Sequence, residues 1–209
     1  MDITDLLKDP EKAKEVLYNA IEYRNKELAE ALIPIVKDPW LTYRYAVRIV
    51  GEKIKDEWED IIAQDFYASY QYAERVLKGA FPKGEDAIAY SSEYSYWYAK
   101  DILQGPFPKG ENAIARYAKY SYWYAKNVIK GRWPKGEPTI AKSPKYAYHY
   151  ASEIIKGRFP EAEEAIIEFR SSMDPYEDTD YTGWYLGFLE QINKLDEFLK
   201  DHPEVKDVK

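Results

Sequence analysis

The sequence predicts an all-α fold, a solenoid of about five two-helix repeats with helical caps at both ends. A Tyr-Ala pair recurs at a period of 26 residues, or 27 in one case. A glycine and then an aromatic-Pro pair follow four of the five Tyr-Ala pairs. No stretch alternates apolar and polar residues as a half-buried strand would. The Tyr-Ala pairs begin at Tyr45, Tyr72, Tyr98, Tyr124 and Tyr150.

Residues 1–37 are predicted to form an N-terminal helical cap. Asp9 can accept hydrogen bonds from the first free N–H groups of a helix, and Pro10 suits the first helical position. Helical periodicity then runs from Glu11 to about Val36 without the tyrosine motif. Terminal repeats of solenoids are commonly atypical, because one of their faces meets water.

Residues 38–168 are predicted to be the tandem repeats. Each first helix should follow a capping side chain, and Tyr117 is a weaker start because it cannot accept the N-terminal hydrogen bonds. The predicted caps are Asp38, Asp65, Ser91 and Ser143. A glycine in the left-handed conformation should end four of the first helices. These glycines are Gly79, Gly105, Gly131 and Gly157.

The aromatic-Pro pair should begin a shorter second helix, as in 83–89 and 161–168. The segment 51–64 lacks this break and should form a longer or differently shaped helix. In the first helix of the last repeat, the apolar and tyrosine side chains span an arc of about 200°, which predicts an inner helix between neighbours. Small residues on each first helix should let adjacent helices approach closely. They are Thr42, Ser69, Ser95, Ser121 and Ala147.

Residues 169–209 are predicted to be an acidic loop, mainly 171–180, and a C-terminal capping helix over 181–200. The apolar stripe of that helix should close the last repeat. We expect the whole chain to be one continuous domain.

Composition bounds the classes of function. The 209 residues include 21 Tyr but only 7 Phe, so much of the core must carry hydroxyl groups that need partners. There is no Cys, no leader-like N-terminus and no apolar run of about 18 residues, so we expect a cytoplasmic protein without a membrane span. The net charge of −7 is uneven. Residues 65–160 carry 15 Lys and Arg against 9 Asp and Glu, and residues 161–209 carry 5 against 14.

The few residues that could carry out catalysis predict a protein that is not an enzyme and needs no cofactor or metal. The two histidines are His149 and His202, and the usual zinc and Cys-His arrangements need cysteines that the chain lacks. The glycine-rich segment 105–111 has its lysine before the glycine and follows no strand, so it is not a phosphate loop. One acid per repeat should interact with the N-terminus of a second helix. These acids are Glu85, Glu111, Glu137 and Glu163.

The candidate partner-binding residues are those that vary between repeats on the outward face of the first helix. One position holds Arg44, Gln71, Trp97, Trp123 and His149, which would form a ladder along a stacked array. Two further positions would lie beside the ladder, one with Arg48, Arg75, Asp101, Asn127 and Glu153 and the other with Trp40, Tyr67, Glu93, Lys119 and Lys145. Of these, Arg48, Arg75, Lys119 and Lys145 complete the predicted partner-binding residues. Exposed tryptophans are costly unless they contact a partner, and Trp and Arg are enriched in binding hot spots. The alternative is that a second helix or a neighbouring repeat covers them.

The repeat resembles a family of tandem helical repeats found in hypothetical proteins of bacteriophages and large DNA viruses. The segment SPKYAYHYASEIIKGRFPEAE (143–163) carries the closest match, which is good over 65–168 and degenerate over 38–64. Tyr117 and the segment 104–106 depart from the pattern. The resemblance implies a phage or viral origin and a helical array, and it brings no catalytic residues.

We therefore expect a non-enzymatic interaction protein that binds a host protein in the host cytoplasm. In a phage setting the specific hypothesis is inhibition of a host defence or nuclease system, through the tryptophan ladder or the acidic C-terminal region. The alternative hypothesis is nucleic-acid binding through the basic, aromatic-rich middle. Such binding should be weak and sensitive to salt, because the whole protein is acidic.

Overall fold

The computed structural model describes residues 9–171 and 180–205. These residues form helices and turns, with no strand among them, so the all-α prediction is confirmed. The chain divides into two compact units, Met1–Glu111 and Asn112–Lys209.

In the first unit, the helices α1, α3, α5 and α7 pack side by side, and another helix follows each of the first three. The 3₁₀ turn Pro82–Gly84 precedes α6. The bounds are α1 Pro10–Glu22, α2 Lys26–Val36, α3 Pro39–Tyr45, α4 Asp56–Ile62, α5 Phe66–Tyr72, α6 Glu85–Ile88 and α7 Ser92–Trp97.

The short helix α8, Glu111–Ile114, lies at the boundary between the units. In the second unit, α9, α11 and α13 pack in succession. The bounds are α9 Ala118–Tyr124, α10 Glu137–Ile140, α11 Pro144–Tyr150, α12 Pro160–Ser171, α13 Tyr181–Gln191 and α14 Leu195–Asp201, followed by the 3₁₀ turn Pro203–Val205.

The predicted N-terminal caps largely form. The side chains of Asp9, Asp38, Asp65 and Ser91 accept a backbone N–H three residues later, at 2.7–3.3 Å. Ser143 precedes α11 without making such a bond, contrary to the prediction. The N-terminal helix is also interrupted, since Arg24 has a φ of 56° and α2 begins afresh with Asn25 as its cap.

A π-helical turn extends each of α3, α5, α7, α9 and α11. The turns are Ala46–Val50, Ala73–Leu77, Tyr98–Leu103, Ala125–Ile129 and Ala151–Ile155. A π turn bonds each N–H to the carbonyl five residues earlier, so it contains more residues than an α turn. After the first turn, which ends at Gly51 with a φ of 78°, the left-handed residue is the Lys or Gln before the expected glycine. The prediction of left-handed glycines at 79, 105, 131 and 157 is wrong. Lys78, Gln104, Lys130 and Lys156 have φ values of 51–58°.

Close packing requires glycine at position 84, which is not one of the four glycines that were predicted to be left-handed. A Cβ added to Gly84 would lie 2.6 Å from Cβ of Ser69 and would overlap the ring of Phe81. We expect Gly84→Ala to lower the free energy of unfolding by about 2 kcal/mol, because the inner helix cannot move away cheaply. Gly79→Ala is the control, since its Cβ would meet only the Leu77 carbonyl at 3.8 Å. Urea denaturation of both variants measures the difference, and equal losses would contradict this packing.

A bond between a tyrosine and a glutamate recurs where one helix pair meets the next. The Tyr98 hydroxyl accepts the Phe81 N–H at 2.8 Å and donates to Glu85 at 3.3 Å. The Tyr150 hydroxyl accepts the Trp133 N–H and donates to Glu137, both at 2.7 Å. We call this arrangement the tyrosine–glutamate joint. Two further joints are Tyr72 with Glu59 and the Ile54 N–H, and Tyr185 with Glu163 and the Phe159 N–H.

The aromatic residue before a proline links neighbouring helix pairs at Phe81, Trp133 and Phe159. Its ring packs on the tyrosine of its own helix pair, as Phe81 does on Tyr72 at 5.1 Å and Phe159 on Tyr150 at 5.4 Å. Its N–H bonds to the tyrosine of the next pair. The small residues work beside this core, since the Ser69 hydroxyl donates to the Ile62 carbonyl at 3.0 Å. Ser95 and Ser121 make the same bond to Ile88 and Ile114.

The C-terminal segment forms two helices rather than the predicted single one. Asn193, with a φ of 56°, separates α13 from α14. Tyr185 on α13 makes a full joint, and Thr182 donates to the Ile166 carbonyl at 2.6 Å, as the serines do on the earlier helices. Most of the predicted acidic loop lies outside the described residues, but Asp180 caps α13 at the Gly183 N–H. Helix α13 therefore makes the contacts of a first helix.

Candidate interaction surfaces

The two candidate residues nearest the N-terminus are held by contacts within the fold. Arg44 forms an ion pair with Glu22 and lies over the Tyr18 ring, at 4.8 Å from its centroid. Arg48 pairs with the same carboxylate at 3.0 Å. Since Glu22 is the last residue of α1, these contacts tie α3 and its π turn to α1.

The next ladder residues, Gln71 and Trp97, are also less exposed to solvent than the sequence analysis predicted. Gln71 is 8% exposed, so its predicted outward orientation is wrong. Trp97 is half-buried, with Tyr96 at 4.9 Å and the Lys100 ammonium 4.8 Å from its ring. Arg75 is exposed and pairs with Glu74 at 3.7 Å. In the first unit this ladder position is therefore buried at Gln71 and half-buried at Arg44 and Trp97.

In the second unit the candidates lie among other rings and cations. Trp123 is half-buried beneath the Lys119 ammonium at 4.6 Å. His149 contacts Glu153 at 3.3 Å, and its ring lies 5.9 Å from that of Tyr122 on α9. Lys145 is exposed and lies over Tyr146 at 5.7 Å.

A larger group of exposed rings lies on the first unit. Trp40 stacks on Tyr67 at 5.2 Å, and Tyr67 meets Tyr94 at 5.5 Å. Phe66 contacts Tyr94 at 5.3 Å. Trp40, Phe66 and Tyr67 are each 38% exposed. We call these four residues the aromatic surface. It joins the N-terminal turns of α3 and α5 to α7.

Acidic side chains border the aromatic surface. Burial raises the pKa of Tyr94, and the nearby Tyr67, Glu93 and Asp65 raise it further. Tyr70, whose ring lies 5.2 Å from that of Tyr94, donates to Glu74 at 3.2 Å. The surface therefore combines accessible rings with a mainly negative margin.

The sequence prediction placed Trp40 and Tyr67 at one position beside the ladder, five residues before the tyrosine of a Tyr-Ala pair, but did not select them as partner-binding residues. It did not include Phe66 or Tyr94. A further missed residue is Trp184, which is 49% exposed and directly precedes the joint tyrosine Tyr185, as Trp97 precedes Tyr98. The 26-residue spacing does not continue into the C-terminal segment, so the repeat pattern could not identify Trp184.

The recurring acids serve the joints, rather than only the helix N-termini as predicted. At Glu137, hydrogen bonds from Arg132 outweigh burial and hold the pKa below its ordinary value, with Tyr150 adding to the effect. Burial alone would raise the pKa of Glu163, but Arg158 and Tyr185 hold it low. Among the described residues, every buried side-chain nitrogen or oxygen has a hydrogen-bond partner. These carboxylates stabilise the fold as anions.

The described part of the chain contains no group of three or more His, Asp or Glu side chains placed to hold a metal ion. No helix within residues 9–171 and 180–205 is both long and apolar enough to cross a membrane. Comparisons with protein-family models, curated proteins and solved structures found no match.

Proposed function

We propose that this chain is a non-enzymatic interaction protein that binds a protein partner through the aromatic surface of its first unit. The observation that carries the proposal is the row of contacting rings formed by the exposed Trp40 and Tyr67 and the half-buried Tyr94, supplied by α3, α5 and α7. Clustered rings on rigid helices lose little conformational entropy on binding, and Trp and Tyr dominate hot spots at protein interfaces.

The acidic border narrows the chemistry of the partner. Glu93 and Asp65 lie beside Tyr94, and Glu74 lies beside Tyr70. A partner that offers Arg or Lys side chains would gain ion pairs at this margin and cation–π contacts with the rings. We therefore propose a basic protein segment as the ligand of this surface.

The proposal includes a tandem array of about five helix pairs with a period of 26 residues, capped at both ends. Recurrence of the joint at Tyr72, Tyr98, Tyr150 and Tyr185 supports it. The resemblance to phage and viral repeats suggests a host protein as the partner, in the host cytoplasm. Inhibition of a defence or nuclease system is the specific form of this proposal.

The test is affinity capture from a bacterial lysate, followed by titration of the purified partner. We expect Trp40→Ala with Tyr67→Ala to weaken binding by at least about tenfold, because each removes a candidate hot-spot side chain. The matched control is Tyr23→Ala with Tyr90→Ala, which removes two rings that are 84% and 82% exposed elsewhere in the same unit.

Thermal unfolding of each variant separates lost binding from lost folding. The proposal requires that the first pair of substitutions abolishes capture while the protein stays folded, and that the control pair captures the same partner as the wild type. Equal capture by both pairs, or a partner whose affinity does not fall with added salt, would contradict it.

A further inference from the structure

Positive charge is concentrated in one part of the second unit. Residues 112–160 carry 10 Lys and Arg against 2 Asp and Glu, whereas residues 65–111 carry 5 against 7. The basic middle of the chain therefore begins near the start of the second unit. A local excess of this size in an acidic protein acts on partners within about a Debye length, and the overall charge matters less there.

Internal ion pairs neutralise some of these cations. Lys126 binds Glu153 at 2.5 Å, and Arg132 binds Glu137 through two nitrogens at 2.9 Å. Lys142 lines a groove with Glu161 and Glu164. Within the described ranges no carboxylate pairs with Arg116, Lys119 or Lys145, and all three are exposed. Their charge is available to a ligand.

Rings lie between the available cations. The Lys119 ammonium is 5.2 Å from the Tyr120 ring and 4.6 Å from the Trp123 ring. Tyr117, at the start of α9, is 58% exposed and meets Tyr120 edge-on at 6.4 Å. We call Arg116, Tyr117, Lys119, Tyr120, Trp123 and Lys145 the basic aromatic surface.

The geometry places the cations of two helices on one side. Lys119 and Lys145 stand five residues before Tyr124 and Tyr150, in the position that Trp40 and Tyr67 hold in the first unit. Rings bring α9 and α11 together, since Tyr122 lies 5.9 Å from both Tyr146 and His149. The same helix position therefore holds Trp40, Tyr67 and Glu93 in the first unit and the two lysines in the second.

We propose that the basic aromatic surface binds single-stranded nucleic acid. Spaced cations fit a chain of phosphates, and adjacent rings offer faces on which unpaired bases stack without regard to sequence. An acidic polypeptide would use the cations but would gain little from the rings. A duplex hides its bases, so it too would gain little from Tyr117. This inference is independent of the protein-binding proposal, which concerns the first unit.

The test is fluorescence anisotropy with a labelled oligo-dT and with oligo-U, using the full chain at two salt concentrations. Three phosphate contacts predict a slope of log K against log salt of about −2, and so about a fifteenfold loss of affinity for a fourfold rise in salt. We expect Lys119→Glu with Lys145→Glu to weaken binding at least tenfold. Lys12→Glu with Lys200→Glu is the control, because it changes the net charge equally at exposed positions elsewhere.

Tyr117→Ala tests stacking apart from charge. We expect it to weaken oligo-dT binding about fivefold or more while leaving the salt slope unchanged. Its folding should be unaffected, since its side chain makes no capping bond to α9. Circular dichroism melting of each variant verifies this.

Several results would overturn the proposal. They are the absence of binding at low salt, equal affinity for duplex DNA, equal competition by poly-glutamate, and equal losses in the control pair. Loss of nucleic-acid binding with capture by the first unit intact would leave the proposed function standing, so the two proposals fail separately.

Discussion

Raising the pH from 7 to about 11 is expected to lower the free energy of unfolding by about 5 kcal/mol, because the buried tyrosines must stay protonated. Burial raises the pKa of Tyr98 to about 12, and the neighbouring Glu85 adds to the effect. Burial also raises the pKa of Tyr72, Tyr150 and Tyr185, whose side chains are fully buried. Each hydroxyl donates to a carboxylate, a bond that its ionised form cannot make.

The sign of the effect follows from these raised values. Below the unfolded-state pKa of about 10 both states are protonated, and the stabilisation is fully present. As the pH rises toward the folded-state pKa, only the unfolded chain loses the proton. The free energy of unfolding then falls by about 1.4 kcal/mol per pH unit for each tyrosine, or about 5 kcal/mol for four. At pH 11, one unit above the unfolded-state pKa, the total loss is therefore about 5 kcal/mol, which is enough to unfold a domain at the lower end of the usual range of 5–15 kcal/mol.

Urea denaturation at successive pH values between 7 and 11 measures this slope. Tyr98→Phe should make the slope shallower by about 1.4 kcal/mol per pH unit, although it also lowers stability at pH 7. Tyr23→Phe, which removes an exposed hydroxyl, is the control and should leave the slope unchanged. A free energy of unfolding that stays level beyond pH 10 would show that the joints do not form.

The joints also explain why much of the fold could be predicted. The joints at Tyr98 and Tyr150 each use the tyrosine of a Tyr-Ala pair and the N–H of an aromatic-Pro pair, so the spacing of these pairs corresponds to a contact that is repeated. The capping residues Asp38 and Asp65 could also be predicted from the sequence, because an N-cap bond joins residues three positions apart. Each of these predictions rests on an interaction that is local or strictly periodic.

The predictions that were wrong depend on interactions that are neither local nor strictly periodic. The π turns before Lys78 and Lys156 shift the left-handed residue by one position in the sequence. A π turn has no characteristic residue preference by which the sequence could predict it. Tyr185 follows Tyr150 by 35 residues rather than 26, so its joint could not be found by counting. Burial of Gln71 depends on which helix lies against it, and a projection of one helix cannot supply that information.

The candidate site was less predictable than the fold for the same reason. Trp97 and Trp123 were selected as the most conspicuous outward residues, yet rings and lysines beside them leave them half-buried. Trp40 and Tyr67 became a surface only through a stacking contact between α3 and α5. Surfaces assembled from several helices depend on packing angles, whereas caps and joints depend on sequence spacing.

Removing the guanidinium of Arg158 is expected to destabilise the protein by about 3–5 kcal/mol at neutral pH, because it leaves a buried carboxylate without its main partner. Glu163 is 1% exposed, and Arg158 binds it through two nitrogens at 2.9 and 2.6 Å. Arg158 also bonds Asp201 at 2.8 Å, and His202 lies 3.2 Å from Glu163. One guanidinium therefore connects the last joint to α14.

Arg132→Ala is the matched control for Arg158→Ala, since Arg132 occupies the same place in the preceding helix pair. Its side chain is 53% exposed, and water can replace it at Glu137, so the expected loss is only about 0.5 kcal/mol. Urea denaturation of both variants at pH 7 measures the contrast. Equal losses would show that burial at Glu163 has no energetic consequence.

Measurements at acidic pH distinguish the electrostatic contribution of Arg158 to stability from the contribution of its packing. In the wild type the lowered pKa of Glu163 stabilises the fold above the unfolded-state value of about 4.3, and this contribution disappears as the pH falls through the folded-state pKa. In Arg158→Ala, burial should instead favour the protonated carboxyl. The difference in stability between Arg158→Ala and the wild type should therefore shrink between pH 7 and about 4. A difference that stays constant with pH would mean that Arg158 stabilises α14 through its packing on Phe198, and that its charge contributes little.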